Sequence, residues 1–411
     1  MKNKLHTWKN PLLLLIGIGV ANVGSWIYFI ALNLIVLDMT GSPLAVSGLY
    51  IIKPFAALVT NVWSGSLIDR FNKRNLMIGL DFTRALLIFW LPFFDSLWAI
   101  YVFVFFINMA GAMFEPTSRT YITQLIQPED RKRFNSLRSL IDSGGFLIGP
   151  AIAGLLFLIG TPSLAIFINA AALFLSGWIT FFLPNLESNR AAPTAKFSFN
   201  LLKKDWAIVI DFSRKSAYIM LVYFLFSCLV VLMTAVDSLE AAFSKEILLL
   251  SDTEYGFLVS VAGAGVVVGA LVNVMTVKKM TTSLLIGLGS VFVSIGYLIY
   301  AFSNGFLLAA IGFFVLSFFL AFANTGFQTF YQNNIPVEVM GRVGSVYAFV
   351  EALLVIVTTA IFGAVAQIVS IRVIVIMGTL IMLVMTIFLS IILLHPYKSN
   401  FHPTAKTRHH L

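Results

Sequence analysis

Nine ionisable side chains stand inside long apolar stretches of this 411-residue chain: Lys53, Asp81, Arg84, Glu115, Arg119, Asp142, Asp237, Glu240 and Glu351. A charge in hydrocarbon is costly, so each needs a partner, a water-filled path or a proton to carry. Asp142 and Glu351 are the leading candidates for proton carriage, since a carboxyl in a low-dielectric cavity can take a proton from one side and release it to the other. A second role is equally open for this pair: salt bridges to Lys53 or Arg119 that make and break during a cycle. Glu115 and Asp237 are further proton-coupling candidates. Glu115 lies one helical turn from Arg119, and Asp81 three residues from Arg84, so each can pair locally. Asp237 and Glu240, close to the end of their block, suit gating, structure or substrate binding alike.

The elements that hold these groups are twelve apolar blocks, at residues 12–37, 43–68, 75–94, 97–122, 137–160, 163–183, 217–240, 253–277, 283–303, 306–333, 342–368 and 372–395. Each is long enough to cross a bilayer, and backbone groups in hydrocarbon must be satisfied internally, so the blocks are helices. The expected fold class is all-α, integral to the membrane. A composition of 59% hydrophobic and 11% charged residues, with mean hydropathy +0.94, leaves too little polar surface for a water-soluble domain. The first block is too long for a cleavable signal and reads as a retained helix.

All but five of the 27 Lys and Arg fall in, or border, segments on one side of this layout. Lys245 and Arg372 fall on the other side, and Lys53, Arg84 and Arg119 lie inside blocks. The positive-inside rule then places both termini in the cytoplasm of a cell membrane. The net charge of +9 is thus topological. It is spread over several loops, which argues against nucleic-acid binding. The lone Cys228 excludes an intramolecular disulfide.

A polar interruption at 184–216 divides the chain into an N-terminal six-helix bundle (1–183), a cytoplasmic linker, a C-terminal bundle (217–395) and a cytoplasmic tail (396–411). A weak internal repeat supports the division. Ile126-Gln-Pro-Glu-Asp-Arg-Lys-Arg133, leading to Ser136, is similar to Asn334-Ile-Pro-Val-Glu-Val-Met-Gly-Arg342, leading to Ser345. Asp142 and Glu351 each follow their serine by six residues. Two equivalent halves with a site between them suit a secondary transporter.

Two motifs sharpen this reading. After the second block the chain reads Gly65-Ser-Leu67-Ile-Asp69-Arg70-Phe-Asn-Lys73-Arg74, and in the fifth Gly145-Phe-Leu-Ile-Gly149-Pro150-Ala-Ile-Ala153-Gly154. Small residues four apart permit close helix packing, and Pro150 weakens the local hydrogen-bond ladder. The first motif resembles the cytoplasmic signature of the major facilitator superfamily. The second is similar to the glycine-proline motif of that superfamily's exporters, with Ala153 replacing a glycine. The resemblance implies twelve helices in two pseudo-symmetric six-helix bundles. It also implies a latch in which Asp69, with Gly65, Arg70, Arg74 and Arg119, holds the halves together near Gly341 and Arg342. The arginine that many proton-coupled exporters carry in the fourth helix is replaced by Asn108-Met-Ala-Gly111. Phe114-Glu-Pro116 and Pro336-Val-Glu338 through Gly341-Arg342-Val-Gly-Ser345 resemble bacterial drug, macrolide-efflux and siderophore exporters.

Aromatic content of 14% suits a cavity for amphipathic molecules, with Trp26, Phe29, Asn33, Lys53, Phe114 and Gln328 as candidate liners. Gly-Lys-Ser/Thr is absent and no metal-ligand cluster is visible, so neither ATP, a cofactor nor a metal is expected. The chain thus reads as a monomeric, proton-coupled exporter of small amphipathic molecules working by alternating access within membrane lipid, and not as an enzyme. The alternatives are a narrow-specificity exporter of a siderophore, lipid or metabolite, and a non-transporting membrane sensor.

Overall fold

The computed structural model describes residues 2–61, 63–64, 68, 71–186, 199–276 and 279–394. Among them are twelve helices long and apolar enough to span a membrane, and no strand. The helices are α1 (Lys2–Thr40), α2 (Pro43–Asn61), α3 (Lys73–Trp90), α4 (Leu97–Leu125), α5 (Arg131–Ile159) and α6 (Pro162–Phe181). The second six are α7 (Ala217–Asp237), α8 (Asp252–Thr276), α9 (Thr282–Ala301), α10 (Phe306–Asn334), α11 (Val337–Ile368) and α12 (Ile371–Leu394). A further helix, Phe199–Lys215, fills part of the expected linker. The tail from 395 and residues 187–198 lie outside the described residues.

Two boundaries differ from expectation for identifiable reasons. Asn72 caps α3 by accepting from the Asn75 amide at 3.0 Å. Helix α5 begins at Arg131 rather than 137, because a helix can run past the bilayer where its residues are polar and hydropathy no longer marks it. Helix α7 stops at Asp237 rather than 240, since the Ser238 hydroxyl turns back to the Ala235 carbonyl at 2.7 Å. Glu240 therefore opens a separate short segment, Glu240–Ala242, followed by a wider-wound turn at Phe243–Ile247.

The helix contacts repeat with a shift of six. Helices α1–α6, α1–α5, α3–α6, α3–α4 and α2–α4 pack together, and so do α7–α12, α7–α11, α9–α12, α9–α10 and α8–α10. The two most extensive contacts between the sets are α5 with α8 and α2 with α11, and they are each other's counterparts. The fold is therefore two pseudo-symmetric six-helix bundles.

Local chemistry fits an apolar solvent. Hydroxyls of Ser25, Thr117, Thr120, Thr234 and Thr329 donate to the carbonyl one turn earlier at 2.7 to 2.9 Å, which satisfies them without a water molecule. Helices α9 and α10 approach backbone to backbone. A Cβ on Gly289 would meet the Ala323 amide nitrogen at 2.8 Å, and one on Gly326 that of Ile286 at 2.8 Å. Large apolar side chains such as Trp98, Leu158, Phe174 and Val384 face outward, as a lipid-facing surface requires.

Candidate functional site

The two bundles meet at one end of the molecule, the far end, where α1 finishes and α2 begins. At the seam of α5 and α8, the Ser260 hydroxyl donates to the Leu147 carbonyl at 2.6 Å. A Cβ on Gly263 would lie 2.5 Å from Leu147 Cα, and one on Gly256 would lie 2.7 Å from Gly154 Cα and 2.8 Å from the Pro150 carbonyl oxygen. At the seam of α2 and α11, a Cβ on Gly363 would lie 2.8 Å from Ser47 Oγ. Ser47 Oγ and Ser238 Oγ are 3.0 Å apart, and Gln367 donates to Ser42. The glycine-proline motif thus divides its work. Pro150 and Gly154 face the second bundle, whereas Gly145 and Gly149 receive Asn22 and Trp26 of α1.

Toward the opposite, near end, where α1 begins and α12 finishes, the two bundles present polar side chains. Asp142 on α5 accepts from Asn22 Nδ2 at 2.8 Å and lies 3.9 Å from Arg138 Nε, with its side chain 48% exposed. Its counterpart Glu351 on α11 is more enclosed and faces Ser227 of α7. Glu115 and Arg119 form the expected one-turn pair at 2.5 Å, and both are exposed. Lys53 and Gln328 are exposed as well. Among the described ion pairs, Asp142 is bridged by Arg138 and Arg119 by Glu115, so the open alternative of bridges to Asp142 or Glu351 from Lys53 or Arg119 is not formed in this state.

The aromatic candidates separate. Trp26 packs against Phe146 with ring centroids 4.3 Å apart, and Phe29 meets Tyr50 edge to face at 5.6 Å, so both line the α1, α2 and α5 wall. Phe114 lies under the Arg84 guanidinium at 5.1 Å. Asn33 is buried at 1% exposure. Of the latch residues, Gly65, Asp69 and Arg70 lie outside the described residues. Arg74 donates to the Phe181 carbonyl and sits 5.3 Å over its ring, inside the first bundle.

Asp237 accepts from the Tyr297 hydroxyl at 2.7 Å. Sequence reading missed Tyr297, the seam serines and helix α8's Gly256 and Gly263. Their signal was present only as small or hydroxylated residues in apolar blocks, which becomes informative once the facing helix is known.

The Major Facilitator Superfamily profile matches residues 14–359. The uncharacterised MFS-type transporter YfiS of Bacillus subtilis (strain 168) is 26% identical over 347 residues, 82% of this chain and 81% of that protein. Multidrug resistance protein MdtH of Yersinia pestis (strain Pestoides F) is 24% identical over 206 residues, 48% of this chain and half of its own length. In fold alone, a mutant of the nucleoside transporter NupG superposes with a TM-score of 0.76 at 13% identity, covering 94% of this chain and 99% of that one. A bacterial homologue of the iron transporter ferroportin in an inward-facing state gives 0.66 at 18% identity, covering 93% and 98%. With its paired bundles, its crossed seams and a profile match over most of its length, this chain belongs to the Major Facilitator Superfamily.

Proposed function

We propose that this transporter exports small amphipathic molecules by alternating access, driven by protons moving inward. The observation that carries the reading is the one-sided joining of the bundles: the cross-bundle hydrogen bonds and backbone approaches run from mid-membrane to the far end, while Asp142, Glu115 and Arg119 stay exposed toward the near end. The basic loops put the near end in the cytoplasm. On that topology the structure is the inward-open state, with the halves 1–183 and 217–395 rocking about a cavity between them. The direction of transport rests on the α5 motif and on the partial similarity to MdtH.

Of the two leading carboxylates, the geometry favours Glu351 as the proton carrier. Asp142 is already solvated and hydrogen-bonded to Asn22, so protonation changes little around it. Glu351 is enclosed against α7, where gaining or losing a proton alters how the helices pack. The test is substrate-induced proton movement in proteoliposomes, with a panel of lipophilic cations, macrolides and siderophores. Glu351→Gln is expected to abolish the movement and Asp142→Asn to weaken it only partly. Full proton movement in Glu351→Gln would remove that residue from the mechanism, and no movement with any compound in the parent protein would overturn proton-coupled export.

A further inference from the structure

Arg84 stands halfway along the membrane span that α3 forms, and the fold leaves most of its donors unspent. Asp81, one turn behind it, lies 3.4 Å from Nη2. That distance balances charge but is too long for a charge-assisted hydrogen bond, and the Asp81 oxygen on that side has no hydrogen-bond partner. The other Asp81 oxygen is turned away, accepting from Ser176 at 2.9 Å. The remaining contacts of the guanidinium are a ring and a glycine: it lies 5.1 Å from the Phe114 centroid, and a Cβ on Gly111 would be 3.9 Å from Nη1. Among the described residues no acceptor takes its N–H groups. Gly111 is one turn before the exposed Glu115 on the same face of α4, so bare backbone there leaves the guanidinium a way to the near-end opening. Glu115 does not spend that charge, because it is paired with Arg119.

A second, independent observation comes from α1. The Tyr28 hydroxyl is buried without a hydrogen-bond partner, although the ring that carries it keeps partial exposure. It lies within electrostatic reach of the Arg84 guanidinium, yet no hydrogen bond joins the two. Buried polar groups are normally satisfied. A guanidinium with unspent donors and an orphaned hydroxyl, brought together from different helices, lack one acceptor that would serve both. Beside a fixed positive charge, the acceptor that fits best is an anion.

We infer that Arg84 and Tyr28, floored by Phe114 and reached past Gly111, form a binding site for the carboxylate of an amphipathic acid. A carboxylate matches the planar guanidinium through parallel N–H···O bonds and has lone pairs left to accept the phenol O–H. The ligand's apolar body stays in the opening between the bundles. The inference rests on the transport reading and narrows its substrate class to compounds that bear a carboxylate. Asp81 is then a competitor within the protein, since it and the ligand share one guanidinium.

The test is the Kd of radiolabelled phenylbutyrate for the purified full chain, with phenylbutanol and acetate as competitors. Arg84→Leu combined with Asp81→Leu removes the guanidinium without stranding a charge, and is expected to weaken binding about tenfold or more. Tyr28→Phe takes away only the hydroxyl and should weaken it about fivefold. Asp81→Asn should act in the opposite direction and tighten binding about fivefold or more, because the competing charge is gone. A pair that serves structure alone predicts weakening there instead. Unlabelled phenylbutyrate should displace the label at concentrations where the alcohol and acetate do not. Parental binding in the double-leucine variant, weaker binding in Asp81→Asn, or displacement by the alcohol as effective as by the acid overturns the site. Displacement by acetate at equal concentration overturns the amphipathic class and leaves a pocket for any small anion. Should the α3 variants fail to fold, Tyr28→Phe and the competition on the parent protein decide, and unchanged binding in Tyr28→Phe contradicts the proposal. Acid binding without proton movement would sink only the proton-coupled reading. Proton-coupled transport of other compounds without acid binding would sink only this site.

Discussion

Valine at Gly263 or Gly256 is expected to stop transport while leaving a folded, membrane-inserted protein. In the present state a single Cβ at either position already meets the α5 backbone at 2.5 to 2.8 Å. Backbone atoms in a helix cannot swing aside as a side-chain tip can. Overpacking a well-filled site costs about 1–3 kcal/mol, and a branched residue against backbone belongs at the upper end, about 3 kcal/mol. At about 1.4 kcal/mol per factor of ten, the sealed form loses about a hundredfold in population relative to one in which α5 and α8 have parted. Each bundle keeps its own packing, so the loss falls on the cycle and not on folding. Gly79→Val on α3 is the control, because a Cβ there meets nothing within 4 Å. Uptake assays on everted vesicles read the loss, and alkylation of a cysteine placed at Ser47 should rise in the valine variants as the far end opens. Transport at the parental rate in Gly263→Val would show that this seam does not need to close.

Removing Asp81 is expected to give the largest loss of stability of any single substitution considered. Its side chain is fully buried, 3.4 Å from Arg84 Nη2, and its other oxygen accepts from Ser176 Oγ at 2.9 Å. Arg84 is itself only 13% exposed. Asp81→Ala leaves that guanidinium enclosed without a counter-charge, a change that costs about 3–5 kcal/mol. Taking away both charges is far milder: Asp81→Leu with Arg84→Leu should come close to the parent, because well-packed apolar residues commonly replace a buried pair at little cost. The thermal-unfolding midpoint in detergent distinguishes the cases. Equal midpoints for Asp81→Ala and the parent would mean the pair contributes nothing to stability.

The sequence carried the architecture well because twelve apolar blocks can only be helices in lipid, and because short connections leave few ways to pack them. The six-residue register of Asp142 and Glu351 also anticipated helices that the structure pairs by symmetry, α5 and α11. What hydropathy did not show was where polar helices continue beyond the bilayer, as at Arg131, or where a chain turns inside an apolar block, as at Ser238. Side-chain environment was less legible still. Asp142 and Glu351 look alike in sequence, yet one is solvated beside Asn22 and the other half-buried beside Ser227, a difference made in both cases by neighbours more than a hundred residues away. Trp8, which its place near the start of the first block suggests as an interfacial anchor, is instead buried beneath Arg133 at 4.4 Å.

Alternating access is tested most directly by tying the far end shut. Cys228 is the chain's sole cysteine, so a Cys228→Ser background carrying Ser47→Cys and Ser238→Cys presents one thiol pair, at positions whose hydroxyl oxygens are 3.0 Å apart. The account predicts that oxidation in native membranes cross-links the pair and halts transport, that reductant restores it, and that neither single cysteine variant responds. Complete cross-linking with transport still running at the reduced rate would contradict it, because the far end would then have no need to open.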